Sequence, residues 1–179
     1  MPRTLKSIKL VDSAGAAVAL PELWRERPVL LFLMRHLGCA LCRRQLLSLR
    51  DEVAKFNAAD CDIAVIVMGD SQMAHTLRQL YRLPFNVYAD ATLEVYEAFE
   101  FGETSLWNVL GPHIIVRQFG QMFQGNRSSL APLDSIRRLG GLVVMSPEGS
   151  LLYHYIANPI YRYPAWDDVL EAISATAPV

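Results

Sequence analysis

The chain has 179 residues, 52% of them hydrophobic and 20% charged, with 17 basic and 18 acidic side chains and a formal net charge of -1. That is enough for one domain with a proper core, expected to run over 1–179, and the balanced charge offers no electrostatic footprint for nucleic acid. The longest apolar run, 29–34, is far too short to span a bilayer and no leader-type segment opens the chain, so a cytoplasmic protein without a membrane partner is expected.

Residues 4–11 are predicted as a strand, 12–15 as a turn and 16–20 as the returning strand of a small hairpin. PELW (21–24) reads as one helical turn, broken by Arg27-Pro28. VLLFLMRH (29–36) is expected to be a central strand buried on both faces. A helix follows over 40–57, with Cys42, Leu46, Leu49, Val53 and Phe56 spaced four, three, four and three apart in one apolar stripe. CDIAVIVM (61–68) is a second buried strand, and Gly69-Asp70-Ser71 ends it and offers an N-cap for a helix over 72–81. LPFNVYAD (83–90) is a short extended segment closed by a turn at Asp90, and 93–99 a short helix. Asp70 and Asp90 are thus read as caps or turn residues, not general bases.

Residues 102–139, with Trp107, an amphipathic piece over 113–123 and the loop QGNRSSLAP, read as a helical insertion. Met122 and Phe123 there, and Met145, are expected in the core. GGLVVM (140–145) and SLLYHYI (150–156) flank a turn as a closing hairpin, and 167–175 forms a last helix. The order β-β-β-α-β-α-(insert)-β-β-α implies an α/β fold with a parallel sheet region.

Two of the three cysteines lie in MRHLGCALCRR (34–44). An odd cysteine count argues against a secreted disulfide framework. In a reducing compartment a close pair is better suited to catalysis or metal binding. Cys39 falls where the strand gives way to the helix, and free N–H groups and the positive end of the helix dipole favour a thiolate there. Arg35, His36, Arg43 and Arg44 add positive charge, and no acidic residue lies between Glu26 and Asp51. Cys42 belongs to the apolar stripe and should face the core, whereas Cys39 precedes the first full turn beside Gly38. An exposed attacking thiol and a buried resolving thiol fit that asymmetry, and an i, i+3 disulfide at a helix start is within reach. Two small buried residues without chemistry are the bland alternative.

His36, Cys39 and Cys42 could supply three metal ligands, but a structural zinc site takes four and the sequence has no second cluster. No metal and no cofactor is therefore expected. His75, His113 and His154 read as ordinary helix or strand residues, and Cys61 as inert packing. Tyr153, Tyr155, Tyr161 and Tyr163 are expected to pack on the sheet, or to form a docking surface for a partner or a homodimer mate.

The Arg-His-x-Gly-Cys-x-x-Cys-Arg unit at 35–43, placed between a strand and a helix, resembles the peroxiredoxin-like AhpC/TSA proteins, most of all the peroxiredoxin-like 2 and selenoprotein U-related branch. LPFNVYAD (83–90), the insertion around 107–123 with QGNRSSL behind it, and LGGLVVMSPEGSLLYHY (139–155) extend the likeness over nearly the whole chain. The resemblance implies a thioredoxin-like three-layer α/β/α sandwich with an N-terminal hairpin. It makes Cys39, the position taken by selenocysteine in selenoprotein members, the nucleophile, and Cys42 the resolving thiol. The sequence departs from peroxiredoxins proper, which carry Pro-x-x-x-Thr-x-x-Cys and an arginine just before the late strand. Here no proline precedes the pair closely, and the arginine's position matches Gly140, with Arg137 and Arg138 slightly upstream. The cis-proline of thioredoxins at that strand start is also absent.

The expected function is a thiol-dependent oxidoreductase, with Cys39, Cys42, Arg35 and His36 in the active site. Its substrate would be a small peroxide or a disulfide, and an external thiol reductant such as a thioredoxin would recycle it. The alternative is a non-enzymatic thioredoxin-fold module for partner binding or dimerisation.

Overall fold

Val29–Met34 (β3) is buried along its whole length, and its alternate residues go to opposite sides, as the two-residue period of a strand demands. In the computed structural model of the chain, which describes residues 5–35, 40–103, 138–159 and 161–175, Leu30, Phe32 and Met34 enter one apolar cluster. Val29, Leu31 and Leu33 enter another. Asp62–Met68 (β4) divides in the same way, with Ile63, Val65 and Val67 on the first side and Ala64, Ile66 and Met68 on the second. A sheet buried on both faces must be the middle layer of three.

The remaining strands are Lys9–Asp12 (β1), Ala17–Ala19 (β2), Asn86–Asp90 (β5), Gly141–Met145 (β6) and Leu151–Ile156 (β7). They form one sheet in the order β2-β1-β5-β4-β3-β6-β7. β3, β4 and β5 run parallel, and β1, β2, β6 and β7 pair antiparallel to their neighbours. The first face carries Ala40–Asp51 (α1), Val53–Ala58 (α2), Ser71–Tyr81 (α3) and Trp166–Ser174 (α5). The second carries the 3₁₀ turn Leu20–Trp24 and Glu94–Ala98 (α4), with Leu5 and Ile8 from the start of the chain. This is the expected three-layer α/β/α sandwich with its N-terminal hairpin.

Three local expectations change. The helix predicted over 40–57 is two helices, because Glu52 takes φ -100 and ψ 4 and interrupts the regular ladder. Beyond the break Phe56 packs edge-on to Trp166, with ring centres 6.0 Å apart, and Lys55 Nζ lies 3.0 Å from Asp167. The apolar stripe continues across the break, with Phe56 in the same cluster as Cys42, Leu46 and Leu49. The first strand begins at Lys9 rather than at 4, since Leu5 and Ile8 turn into the core from a bend. The extended segment over 83–90, omitted from the predicted strand order, supplies β5, the strand that joins the hairpin to β4.

Gly102, Glu103, Arg138 and Leu139 are the described ends of the predicted insertion; Trp107, His113, Met122, Phe123 and Arg137 lie outside the described residues. The two ends meet through an isolated antiparallel backbone β-bridge between Glu103 and Arg138 and a Leu139 N to Gly102 O bond of 2.9 Å. Among the described residues, no helix is long and apolar enough to cross a membrane.

Candidate active site

β3, β4 and β5 all end at one edge of the sheet, and β6 begins there. In open α/β sheets this edge is where loops and helix N-termini converge. The Cys-x-x-Cys motif spans the passage from β3 to α1. His36 and Cys39 lie outside the described residues, so the structure speaks for Arg35 before them and Cys42 after them.

Cys42 sits in the first turn of α1, which starts at Ala40. Its side chain has no exposure and packs in the same cluster as Leu46 and Leu49, as the apolar stripe requires. That first turn holds no acidic residue, so the positive end of the helix dipole is not opposed from within.

Arg35 is 1% exposed. Its Nε donates to the carbonyl of Arg138, 3.0 Å away across the strand boundary. The side chain passes over Gly140: a Cβ there would stand 3.0 Å from Arg35 Cγ and would also meet the carbonyl oxygen of Leu33. Gly140 is thus a bare position, and Arg35, one residue past the end of β3, lies against it.

Three other groups meet at this edge, and of these Tyr96 escaped the sequence reading. The Tyr96 hydroxyl lies 2.6 Å from Met34 O and 2.9 Å from Ile66 O. Asp90 is buried and, as expected of a cap or turn residue, accepts from Val95 N in the first turn of α4 at 2.9 Å. Arg138 stands close enough for its charge to act on Tyr96, as does Cys42. Desolvation pushes the Tyr96 phenol well above its ordinary range; Asp90 and Cys42 add to the rise and Arg138 opposes it. The carboxylate-to-tyrosine spacing within Asp90-Ala91-Thr92-Leu93-Glu94-Val95-Tyr96 was visible, but nothing in it pointed to β3.

Several expected minor roles are met. Asp70 caps α3, accepting from Met73 N at 2.9 Å. His154 lies on β7 with Nε2 2.9 Å from Phe99 O. His75 lies on α3 with Nδ1 3.3 Å from Ser13 O. Met145 is buried. Tyr153, Tyr155 and Tyr163 pack against the first core cluster, and Tyr161 against Leu139.

Cys61 lies just ahead of β4, 1% exposed, and desolvation is the main cause pushing its thiol up to about 12. The native state therefore holds this proton more tightly than the unfolded chain, whose thiol titrates near ~8.5. Stability from this group is full below that pH and is lost as pH rises towards 12. Denaturant melts at rising alkaline pH should show the loss, with a slope approaching about 1.4 kcal/mol per pH unit, and Cys61→Ala should flatten it. An unchanged slope in that variant would contradict the assignment.

A family model described as the AhpC/TSA family matches residues 2–122. The prostamide/prostaglandin F synthase of Salmo salar is 24% identical over 180 residues, covering 95% of this chain and 86% of that protein. Peroxiredoxin-like 2C of Bos taurus is 25% identical over 176 residues, covering 93% and 76%. The thioredoxin-like protein AAED1, chloroplastic, of Arabidopsis thaliana is 30% identical over 98 residues, but the match spans 55% of this chain and only 40% of that protein. In structure the chain is similar to peroxidoxin BcpB from Mycobacterium tuberculosis, at TM-score 0.64 and 15% identity, covering 96% of this chain and 94% of that one. It is also similar to peroxiredoxin Q from Xanthomonas campestris, at TM-score 0.65 and 14% identity, covering 99% and 96%. With two thirds of its length matched by the family model and a sheet of the same architecture, the chain belongs to the AhpC/TSA family, as a peroxiredoxin-like protein of thioredoxin fold.

Proposed function

We propose that the chain reduces a peroxide or a disulfide through Cys39 as nucleophile and Cys42 as resolving thiol. The observation that carries this is Cys42, fully buried in the first turn of a helix that follows the strand ending beside a buried Arg35. With a peroxide, the Cys39 thiolate attacks one oxygen, the O–O bond breaks, and the departing alkoxide or hydroxide takes a proton. Cys39 is left as a sulfenic acid. The Cys42 thiol displaces water from it, forming the disulfide. With a disulfide substrate, a mixed disulfide forms first and Cys42 resolves it. An external dithiol, such as a thioredoxin, then reduces the Cys39–Cys42 bond and is itself oxidised.

Geometry supports the resolving role. Cβ atoms three residues apart at a helix start are about 5–6 Å apart, and a disulfide needs about 3.5–4.5 Å. A small rearrangement of the first turn of α1 is enough. Arg35 and His36 are assigned to stabilise the thiolate and the negative charge that develops on the substrate. The resemblance sets Gly140 where peroxiredoxins have an arginine, and on that reading Arg35, whose side chain lies against Gly140, is the cation proposed for that task.

The test follows reduced protein by mass as it meets hydrogen peroxide, an organic hydroperoxide, a lipid endoperoxide and a small disulfide. The endoperoxide belongs in the panel because relatives are named prostamide/prostaglandin F synthase. The expected result is loss of two hydrogens as Cys39 and Cys42 join, with one oxidant faster than a free thiol by on the order of a hundredfold or more. Oxidation of the native pair no faster than a free thiol by all four would overturn the enzyme reading and favour the partner-binding module.

A further inference from the structure

Met34 closes β3 and Arg35 is the last described residue before the segment containing Cys39. Whatever fixes this strand end fixes one end of that segment. Backbone pairing to β4 extends to Met34 itself, whereas pairing to β6 stops one residue earlier, at Leu33. Met34 is thus paired on one side only, among the described residues.

Tyr96 supplies a further tie from outside the sheet. It has no exposed surface, and its hydroxyl is 2.6 Å from Met34 O and 2.9 Å from Ile66 O. Both carbonyls lie within reach of the one hydroxyl proton, and the shorter contact is with Met34. The phenol is held well above its ordinary range, first by desolvation, so it remains a donor throughout the neutral range. The helix that carries it is itself pinned: Val95 N donates to Asp90 Oδ2 at 2.9 Å, and Thr92 Oγ1 to Asp90 Oδ1 at 3.2 Å. Leu93 enters that helix in the left-handed conformation, at φ 63. A continuous set of bonds thus runs from the end of β5 through α4 to Met34. One residue on, Arg35 Nε continues it to Arg138 O at 3.0 Å.

We infer that Tyr96 is a positioning residue for the thiol site: through Met34 it holds the end of β3 from which the Cys39 segment departs, and α4 serves as its mount. The inference rests on the reading of Cys39 as the reactive thiol. An ordinary core tyrosine would add stability and leave the thiol alone.

Two readouts separate these roles. The first is the rate of Cys39 alkylation by iodoacetamide across a pH series, located by mass. Tyr96→Phe should lower the rate at neutral pH by about tenfold and move the pH midpoint upward. Tyr155→Phe, which removes a hydroxyl bonded to Arg162 O on the opposite core face, should leave both unchanged. The second is cleavage by trypsin after Arg35, which is 1% exposed. It should quicken by about tenfold in Tyr96→Phe, while cleavage after exposed Arg82 stays constant. Asp90→Ala, which unties α4 and keeps the hydroxyl, should act in the same direction on both readouts. A folded Tyr96→Phe or Asp90→Ala protein with wild-type alkylation and wild-type cleavage at Arg35 would overturn the inference. If wild-type Cys39 reacts no faster than a free thiol, the functional reading fails, and cleavage at Arg35 still decides whether Tyr96 holds the strand end.

Discussion

Cys39→Ser should abolish turnover, by on the order of a thousandfold or more. The nucleophile in this chemistry is a thiolate, and a serine hydroxyl has no comparable anion near neutral pH at a helix start. Cys42→Ser should behave differently. The first step survives, so one equivalent of oxidant is consumed and Cys39 accumulates as a sulfenic acid or a mixed disulfide. A sulfenate-trapping reagent followed by mass analysis would identify the first, and reductant-sensitive adducts the second. Since Cys42 has no exposure, serine there also buries a hydroxyl among leucines, at a cost of about 1–3 kcal/mol. Cys42→Ala avoids that cost and should trap the same species. Full activity in Cys39→Ser would end the assignment. Full multiple-turnover activity in Cys42→Ala would leave Cys39 as nucleophile but hand resolution to another thiol.

Much of the fold could be read before the structure because its core obeys simple periods. The unbroken apolar runs around Val29–Met34 and Asp62–Met68 had to be central strands. The four-three spacing from Cys42 to Phe56 had to be helical and to lie on one face, and both α1 and α2 do. What could not be read depends on contacts distant in sequence. No local signal marks Glu52 as a break, and the partner of Phe56 beyond it, Trp166, lies more than a hundred residues later. The extended piece before Asp90 was legible, but its place between β1 and β4 was not.

The candidate site divides along the same line. A cysteine pair at a strand-to-helix passage is a local pattern, and the buried half of it was identified from helical spacing alone. The tyrosine that bonds to Met34 comes from a helix some sixty residues on, and only the tertiary structure joins them. Gly140 was conspicuous in the sequence for the arginine it lacks. Its physical use, as a bare surface over which Arg35 lies, needs coordinates.

The glycine pair at the start of β6 should be the least tolerant point in the described structure. Gly141 is paired with Leu33 on one side and Ile156 on the other. A Cβ on Gly141 would collide with the carbonyl oxygen of Tyr155, come within 3.0 Å of that carbonyl's carbon, and stand 2.7 Å from Phe101 Cε1. Two of these three atoms are backbone of an adjoining strand and cannot rotate away, so the sheet itself must open. Gly141→Ala should therefore cost about 3 kcal/mol, a fall in Tm of roughly 6–12 °C for a chain of this size. Gly140→Ala meets Leu33 O, Arg35 Cγ at 3.0 Å and Arg35 N at 3.3 Å. Two of these atoms are also backbone, but each approaches less closely than the Tyr155 carbonyl approaches Gly141, so the loss of stability should be smaller. The side chain that must give is Arg35, so Gly140→Ala should slow Cys39 alkylation more than Gly141→Ala does at a temperature where both are folded. Thermal melts and alkylation rates on the two variants give a crossed pattern that general weakening of the sheet would not produce. A Gly141→Ala protein that melts with the wild type would show that β6 and β7 do not approach as closely as these contacts require.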